Sequence, residues 1–229
     1  MTIGVDIKND LFRDTVDYYL HASDALFSQS LIDYALPHLG EKVLDLGCAT
    51  GNYMTALNKR GFQCTGADVN SAYVEIARKK GLDVHTVSNS LPFPDKSFDS
   101  VVIFEVAEHL QDPLAVLSEA KRVARKSIIL TVPNCEKSNE LRQCGLVFEH
   151  FLDSDHKNFF TEASMRKMLS QLFSSFEIKK GDPINPIHLI ESKGLIFFKI
   201  VYKILCKLKL IKPKFYFRLY VAIDLNEKV

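Results

Sequence analysis

A chain of 229 residues closes one substantial core and leaves little room for a second, so one domain over 1–229 is expected. An apolar share of 47% beside 25% charged residues excludes a disordered chain, while a net charge of only +1 conceals an asymmetry: eight basic residues and no acidic ones fall between Ser192 and Arg218. The five cysteines, Cys48, Cys64, Cys135, Cys144 and Cys206, are scattered and odd in number, which argues for reduced thiols and a cytoplasmic setting; Met1 to Asp10 carries acidic residues and no continuous apolar run, so no export signal is expected there.

In chain order, Asp6–Leu36 reads as one or two amphipathic helices, an N-terminal helical cap over 1–38 that Pro37 ends. Val43, Leu44 and Leu46 read as a short buried strand that leaves through Gly47 and Gly51 into a helix over Asn52–Arg60, closed by Gly61. Phe62–Asp68 is a second strand, Ser71–Lys80 a helix and Val84–Val87 a third strand. The apolar run Val101-Val102-Ile103 marks Ser100–Phe104 as a central parallel strand. A helix over Leu114–Ala124 and a strand over Ser127–Val132 follow, and this alternation argues for a parallel sheet with right-handed crossovers. Beyond Pro133 the pattern loosens, with no clear period from Asn134 to Phe160. A helix capped by Thr161 then runs to Phe173, and strands are expected over Phe176–Lys180 and Phe215–Ile223.

Between those last strands, residues 194–211 form a basic amphipathic helical insert. Lys199, Lys203 and Lys207 recur every four residues, while Ile196, Phe197, Ile200, Ile204 and Leu208 face elsewhere. The lysines interrupt it too often for a membrane span. Two readings remain: an interfacial helix in peripheral contact with a membrane or a greasy substrate, or a core-packed helix with a solvated lysine edge, which the pattern favours. The apolar face is too wide for tracking phosphates, so no nucleic-acid partner is expected.

Strand, glycine turn and helix together expose backbone N–H groups at a helix start, a ready site for an anionic small-molecule group. The glycine spacing is Asp45-x-Gly47-x-Ala49-x-Gly51, with no glycine three residues after Ala49, which disfavours the G-x-G-x-x-G pattern of nicotinamide and flavin folds. At these residues the chain resembles the class I S-adenosylmethionine-dependent methyltransferases, whose first motif is an acidic residue followed by alternating glycines. Ala49 replaces one glycine but keeps a small side chain. The segment Leu91-Pro-Phe93 to Ser97-Phe98-Asp99 resembles the same broad small-molecule methyltransferase group, and Phe215–Ile223 matches its closing antiparallel strand.

The resemblance implies a Rossmann-like, doubly wound seven-stranded sheet, mostly parallel with a final antiparallel strand, and S-adenosylmethionine as cofactor. Gly47 and Gly51, with Cys48 and Ala49 between them, would admit its amino-acid end, and Asp45 would orient that loop. Asp68 lies seventeen residues beyond Gly51, near the spacing of about 20 at which a carboxylate meets ribose hydroxyls. Position and chemistry favour that role over helix capping, for which Asn70 and Ser71 suffice; Val69 adjoins it. Where the group usually offers an aspartate to adenine this chain has Ser88, Asn89 and Ser90, and Asn89 could accept the same hydrogen bond. The family's N-terminal helices cover the active site; simple padding of the sheet is an equal alternative for this chain.

Methyl transfer is an in-line displacement achieved largely by positioning. His109, at the carboxyl edge beyond the fourth strand, is the first choice of general base for a hydroxyl acceptor, with Glu105 facing the acceptor and the cofactor. Glu105-x-x-Glu108-His109 also resembles a sequence of quinone-pathway O-methyltransferases and, with further histidines, of metal-dependent small-RNA 2′-O-methyltransferases. Glu105, Glu108, His109 and the remote His156 are thus candidate ligands for a divalent ion, although an acid–base or structural role without metal is the default. The expected activity is methyl transfer to a small or lipid-like acceptor, most readily at oxygen. Transfer to carbon or nitrogen, and cofactor binding without turnover, are the alternatives.

Overall fold

The computed structural model describes residues 27–88, 90–143, 153, 155–184, 196–208, 210–211 and 214–226. Most of the N-terminal cap, Asn89, Cys144 and the connection 185–195 lie outside them. The elements are α1 (Gln29–Ala35), β1 (Lys42–Leu46), α2 (Asn52–Asn58), β2 (Gln63–Asp68), α3 (Ser71–Lys79), β3 (Asp83–Thr86), β4 (Phe98–Phe104), α4 (Pro113–Val123), β5 (Ala124–Pro133), α5 (Ser138–Gln143), α6 (Glu162–Leu169), β6 (Phe176–Ile184), α7 (Ile196–Lys207) and β7 (Phe215–Asp224).

The strands form one seven-stranded sheet in the order β3-β2-β1-β4-β5-β7-β6. Strands β1 to β5 pair in parallel, and β7 runs antiparallel to both β5 and β6, as the resemblance implied. Alternate residues of each strand feed two cores. Leu44, Val101, Ile103, Ile128 and Leu130 pack with Leu117 and Ala120 of α4 and Met165 and Leu169 of α6 on one face. Val43, Val102, Phe104 and Ile129 pack with Leu31 and Ile32 of α1, Met54 and Leu57 of α2 and Val74 of α3 on the other. All seven residues of β4 are buried, which is why its sequence is a run rather than an alternation. Each fully buried Leu or Ile contributes about 2 kcal/mol, so this two-sided burial is the main support of the sheet.

The chain leaves β1 toward β2 and β3, and later returns to the other side of β1 through β4 and β5. The carboxyl ends of β1 and β4 therefore flank the point where strand order reverses, and the crevice of an open α/β sheet opens there.

Several boundaries differ from the sequence reading. Strand β6 runs on to Ile184, because Pro183 and Ile184 still pair with Tyr216 and Phe215 on β7; as an edge strand it tolerates a proline that sequence alone reads as a stop. Gly181 has room for no side chain because the Tyr220 ring lies against it. Helix α6 ends at Leu169, although Phe173 still packs in the core. A short helix, α5, occupies part of the region that showed no period.

The favoured reading of the insert as a core-packed helix is corrected. Phe197, Phe198, Ile200, Ile204 and Leu208 are between 50% and 70% exposed, so the apolar side of α7 is not packed into the core. Among the described residues no helix is long and apolar enough to cross a membrane.

Candidate active site

The turn between β1 and α2 has positive φ at three alternating positions, Gly47 (+82°), Ala49 (+45°) and Gly51 (+81°). A Cβ at Gly47 would collide with Val106, and one at Gly51 with Leu82, so both glycines answer to sterics as well as to φ. Ala49 occupies a left-handed conformation that favours glycine, the residue the family motif carries there. The turn curls back onto the end of β2: Gly47 and Cys48 donate their N–H groups to the Ala67 carbonyl (2.7 and 3.2 Å), Ala49 donates to Asp68 Oδ2 (2.8 Å) and Gly51 to the Cys48 carbonyl (2.9 Å). These four amides of the turn, which precede the helix start at Asn52, are thus committed within the protein. The turn offers close approach and shape.

Asp68 closes this arrangement. Its Oδ2 accepts from Ala49 and its Oδ1 from the N–H of Asn70 (2.8 Å), while Asn70 itself caps α3 by accepting from Ala72 and Tyr73. Asp68 is therefore not the helix cap. Its burial raises the carboxyl pKa, and the backbone donors oppose that rise. Each of its oxygens keeps lone pairs for further donors such as ribose hydroxyls. Asp45 is buried, and its Oδ2 has no hydrogen-bond partner among the described residues. Burial, reinforced by the charge of Asp68, raises its pKa to about 7.

A cavity of about 550 Å³ opens at the reversal point, within the range of small-molecule sites. Of the residues singled out from sequence, Gly47, Ala49, Asp68, Val69, Ser90, Glu105 and His109 line it. Asp45, Cys48, Gly51, Glu108 and His156 do not; Asn89 lies outside the described residues. The wall around Leu91 is held by α4: Arg122 donates to the carbonyls of Leu91 (3.0 Å) and Phe93 (2.7 Å), and Glu119 accepts from the N–H of Leu91 (3.0 Å). The Leu-Pro-Phe segment thus serves the site through its backbone.

At the end of β4, Glu105 sits at φ +54°, its N–H bonded to the Thr131 carbonyl (3.1 Å). Its Oε2 lies 3.1 Å from Nε of Arg218 on β7, and Arg218 Nη1 lies 2.5 Å from Asp182 Oδ2 on β6. The Tyr220 hydroxyl lies 2.8 Å from the same Asp182 oxygen and 2.9 Å from Ser30 Oγ on α1. Burial raises the pKa of Glu105, and Arg218 is the first influence against that rise. Sequence reading missed Arg218 and Asp182, because a lone arginine in a basic stretch and an aspartate near an edge-strand proline carry no signal of their pairing.

Residues Ala107–His109 form a single 3₁₀ turn that presents Glu108 and His109. The chain at 155–160 straps this turn. Lys157 and Asn158 both donate backbone N–H groups to the Glu108 carbonyl (2.8 and 3.0 Å), and Asn158 Nδ2 donates to the carbonyls of Ala107 (3.2 Å) and Leu110 (2.6 Å). The strap sets the His156 ring against the His109 ring, with centroids 4.6 Å apart at 71°. Ligand atoms of Glu108, His109 and His156 all lie within 4.8 Å of one another. Glu105 is not in this cluster, and its charge helps burial to raise the pKa of Glu108. Burial and His156 lower the pKa of His109, favouring its neutral form. Glu108 Oε2 is buried with no hydrogen-bond partner among the described residues. Two imidazoles beside a buried carboxyl oxygen with no hydrogen-bond partner among the described residues are a donor set that fits a divalent transition-metal ion. Asn158, which makes this convergence, had no recognisable sequence signal.

Residues 44–132 match the family described as "Methyltransferase domain". A ubiquinone biosynthesis O-methyltransferase of Dinoroseobacter shibae is 28% identical over 165 residues, 66% of each chain. A demethylmenaquinone methyltransferase of Thermotoga maritima is 28% identical over 150 residues, 63% of this chain and 64% of that one. The chain spans about two thirds of the length of these relatives. A crystal structure described as a SAM-dependent methyltransferase from Archaeoglobus fulgidus shares the fold at a TM-score of 0.66 and 20% identity, covering 90% of this chain and 99% of that one. The domain match runs through the strands and turns that build the cavity, and the fold likeness covers 90% of the chain: residues 44–132 match a methyltransferase domain, within a fold that a SAM-dependent methyltransferase structure shares.

Proposed function

We propose that this protein transfers a methyl group from S-adenosylmethionine to a hydroxyl of a small, lipid-like acceptor, with His109 as the general base. The observation that carries this reading is a neutral-favouring imidazole on the wall of the same cavity as Asp68 and the β1–α2 turn. Asp68, Gly47 and Ala49 would hold the cofactor, which supplies an electrophilic methyl group. Glu105, fixed by Arg218, would orient the acceptor side. A neutral imidazole takes up the hydroxyl proton near neutral pH, and the strap at 155–160 keeps that ring in place. Quinone-pathway methyltransferases among the relatives support a lipid-like acceptor. Transfer of labelled methyl to quinone, lipid and polar extracts tests the reading. His109→Ala should abolish transfer while calorimetry with S-adenosylhomocysteine shows intact binding; unchanged transfer refutes the base.

The convergence of Glu108, His109 and His156 favours a second reading of the same site. A divalent ion held by these three would bind the acceptor hydroxyl and lower its pKa, with His109 as a ligand in place of a base. Loss of transfer on chelation, restored by one added cation, supports this arrangement. Full activity after exhaustive chelation rejects it and leaves the metal-free base.

A further inference from the structure

Soluble proteins rarely leave a contiguous row of large apolar side chains in water, and this chain does so along α7 from Phe197 to Leu208. Phe197, Ile200, Ile204 and Leu208 are each at least half exposed. With about 100° of rotation per residue they fall in one stripe about 80° wide, and positions 199, 203 and 207 fall on the stripe beside it. Phe198 and Leu210, at 64% and 70% exposed, extend the apolar surface at either end. Of the eight basic residues between 192 and 218, Lys214 pairs with Glu140 and Arg218 with Glu105 and Asp182; the segment itself contains no acidic residue to neutralise the others. The insert leaves β6 after Ile184 and rejoins the sheet at Phe215, two residues that pair with each other. Three residues on, Arg218 pairs with Pro133 at the end of β5 and reaches Glu105 at the cavity. The helix is thus hung from the carboxyl rim of the sheet, the rim that bears the site.

We propose that α7 docks the protein on an anionic bilayer surface, its apolar stripe at the boundary between headgroups and acyl chains and its lysines among lipid phosphates. A peptide helix with this partition of apolar and cationic faces lies in the interface plane. Charge complementarity selects the occupant: a stripe of lysines beside the apolar row repels the same stripe of a second copy and attracts acidic headgroups. Docking at this rim would bring the cavity to the layer in which an apolar acceptor dissolves, a consequence that rests on the lipid-like acceptor proposed above; the docking itself does not.

The test is co-sedimentation of the full chain with vesicles of phosphatidylcholine alone, or of equal parts phosphatidylcholine and phosphatidylglycerol. Binding to the anionic vesicles, weakened by added salt, is expected. The variant Ile200→Ser/Ile204→Ser should lose that binding. Each lysine near an anionic surface contributes a factor of about five, so Lys199→Ala/Lys203→Ala/Lys207→Ala should weaken it on the order of a hundredfold. Calorimetry with S-adenosylhomocysteine serves as the fold control and separates the two proposals: vesicle binding without nucleoside binding would sink the cofactor-site reading and leave the docking intact. Nucleoside binding without vesicle binding overturns the docking. So does a concentration-dependent dimer that Ile200→Ser/Ile204→Ser dissociates, since a second copy would then cover the stripe.

Discussion

Asn158→Ala removes the side chain that ties the strap to the turn bearing His109. Two hydrogen bonds are lost, at 3.2 Å to the Ala107 carbonyl and 2.6 Å to the Leu110 carbonyl. At about 1 kcal/mol net for each, and with both carbonyls in partly or fully buried backbone, the expected destabilisation is about 2 kcal/mol. Urea denaturation with an unchanged slope measures it. The larger consequence is local. With those two bonds gone, the strap is tied to the turn less tightly, His156 is held less firmly edge-on against His109, and the rate of methyl transfer should fall further than the loss of folded protein accounts for. Binding of S-adenosylhomocysteine should persist, because its proposed contacts come from β1 and β2. Asn158→Asp is the companion variant: it has nearly the same volume but sets a carboxylate oxygen against two carbonyls, so it should do at least as much harm as alanine. If Asn158→Ala costs under about 0.5 kcal/mol and leaves the rate intact, the strap does not position the site.

Other expectations follow from the same geometry. Asp68→Asn replaces one oxygen that accepts from Ala49 or Asn70; losing one charge-assisted bond corresponds to roughly 10- to 100-fold weaker S-adenosylhomocysteine binding by calorimetry, and an unchanged affinity removes Asp68 from the cofactor site. Ala49→Gly relieves a left-handed alanine at a cost in unfolded-chain entropy, for a net gain of about 0.5–1 kcal/mol; destabilisation in urea would contradict the strain at φ +45°. Arg218→Met leaves Glu105 and Asp182 without their shared countercharge and should cost about 2–3 kcal/mol, less than the roughly 3–5 kcal/mol of a fully buried broken pair because the site is partly wetted. Asp45 has its pKa raised from 3.8 to about 7, so the native state holds a proton that the unfolded chain releases: its stabilising share is complete below 3.8 and is lost as pH rises through about 7. Asp45→Asn should flatten the fall in stability across that window, and an unaltered pH profile would show that Asp45 titrates normally. His109 has the opposite sign, its share being present above 6.5 and lost as pH falls.

Much of the core was legible because one-dimensional patterns report burial directly. The run Val101-Val102-Ile103 announces a strand covered on both faces, and β4 is buried throughout. Asp45-x-Gly47-x-Ala49-x-Gly51 announces a turn that must take positive φ, and all three small residues do. Asp68 was placed by its distance from that turn. Its bond to Ala49, and the commitment of the loop's amides to Ala67, could not be foreseen, because spacing along a chain does not say how a loop folds back on the neighbouring strand.

Sequence by itself determined the parallel sheet, the position of the glycine turn at its rim and the amphipathic character of the insert, since each depends on local spacing of apolar residues and glycines. Tertiary structure alone decided that the apolar side of α7 faces outward, that Arg218 joins Glu105 to Asp182, and that Asn158 gathers His156 against His109 across nearly fifty residues of chain. These depend on contacts between segments remote in sequence, where the energy lies in a buried charge finding its counterpart or a free carbonyl finding a donor, and no periodicity records such a match.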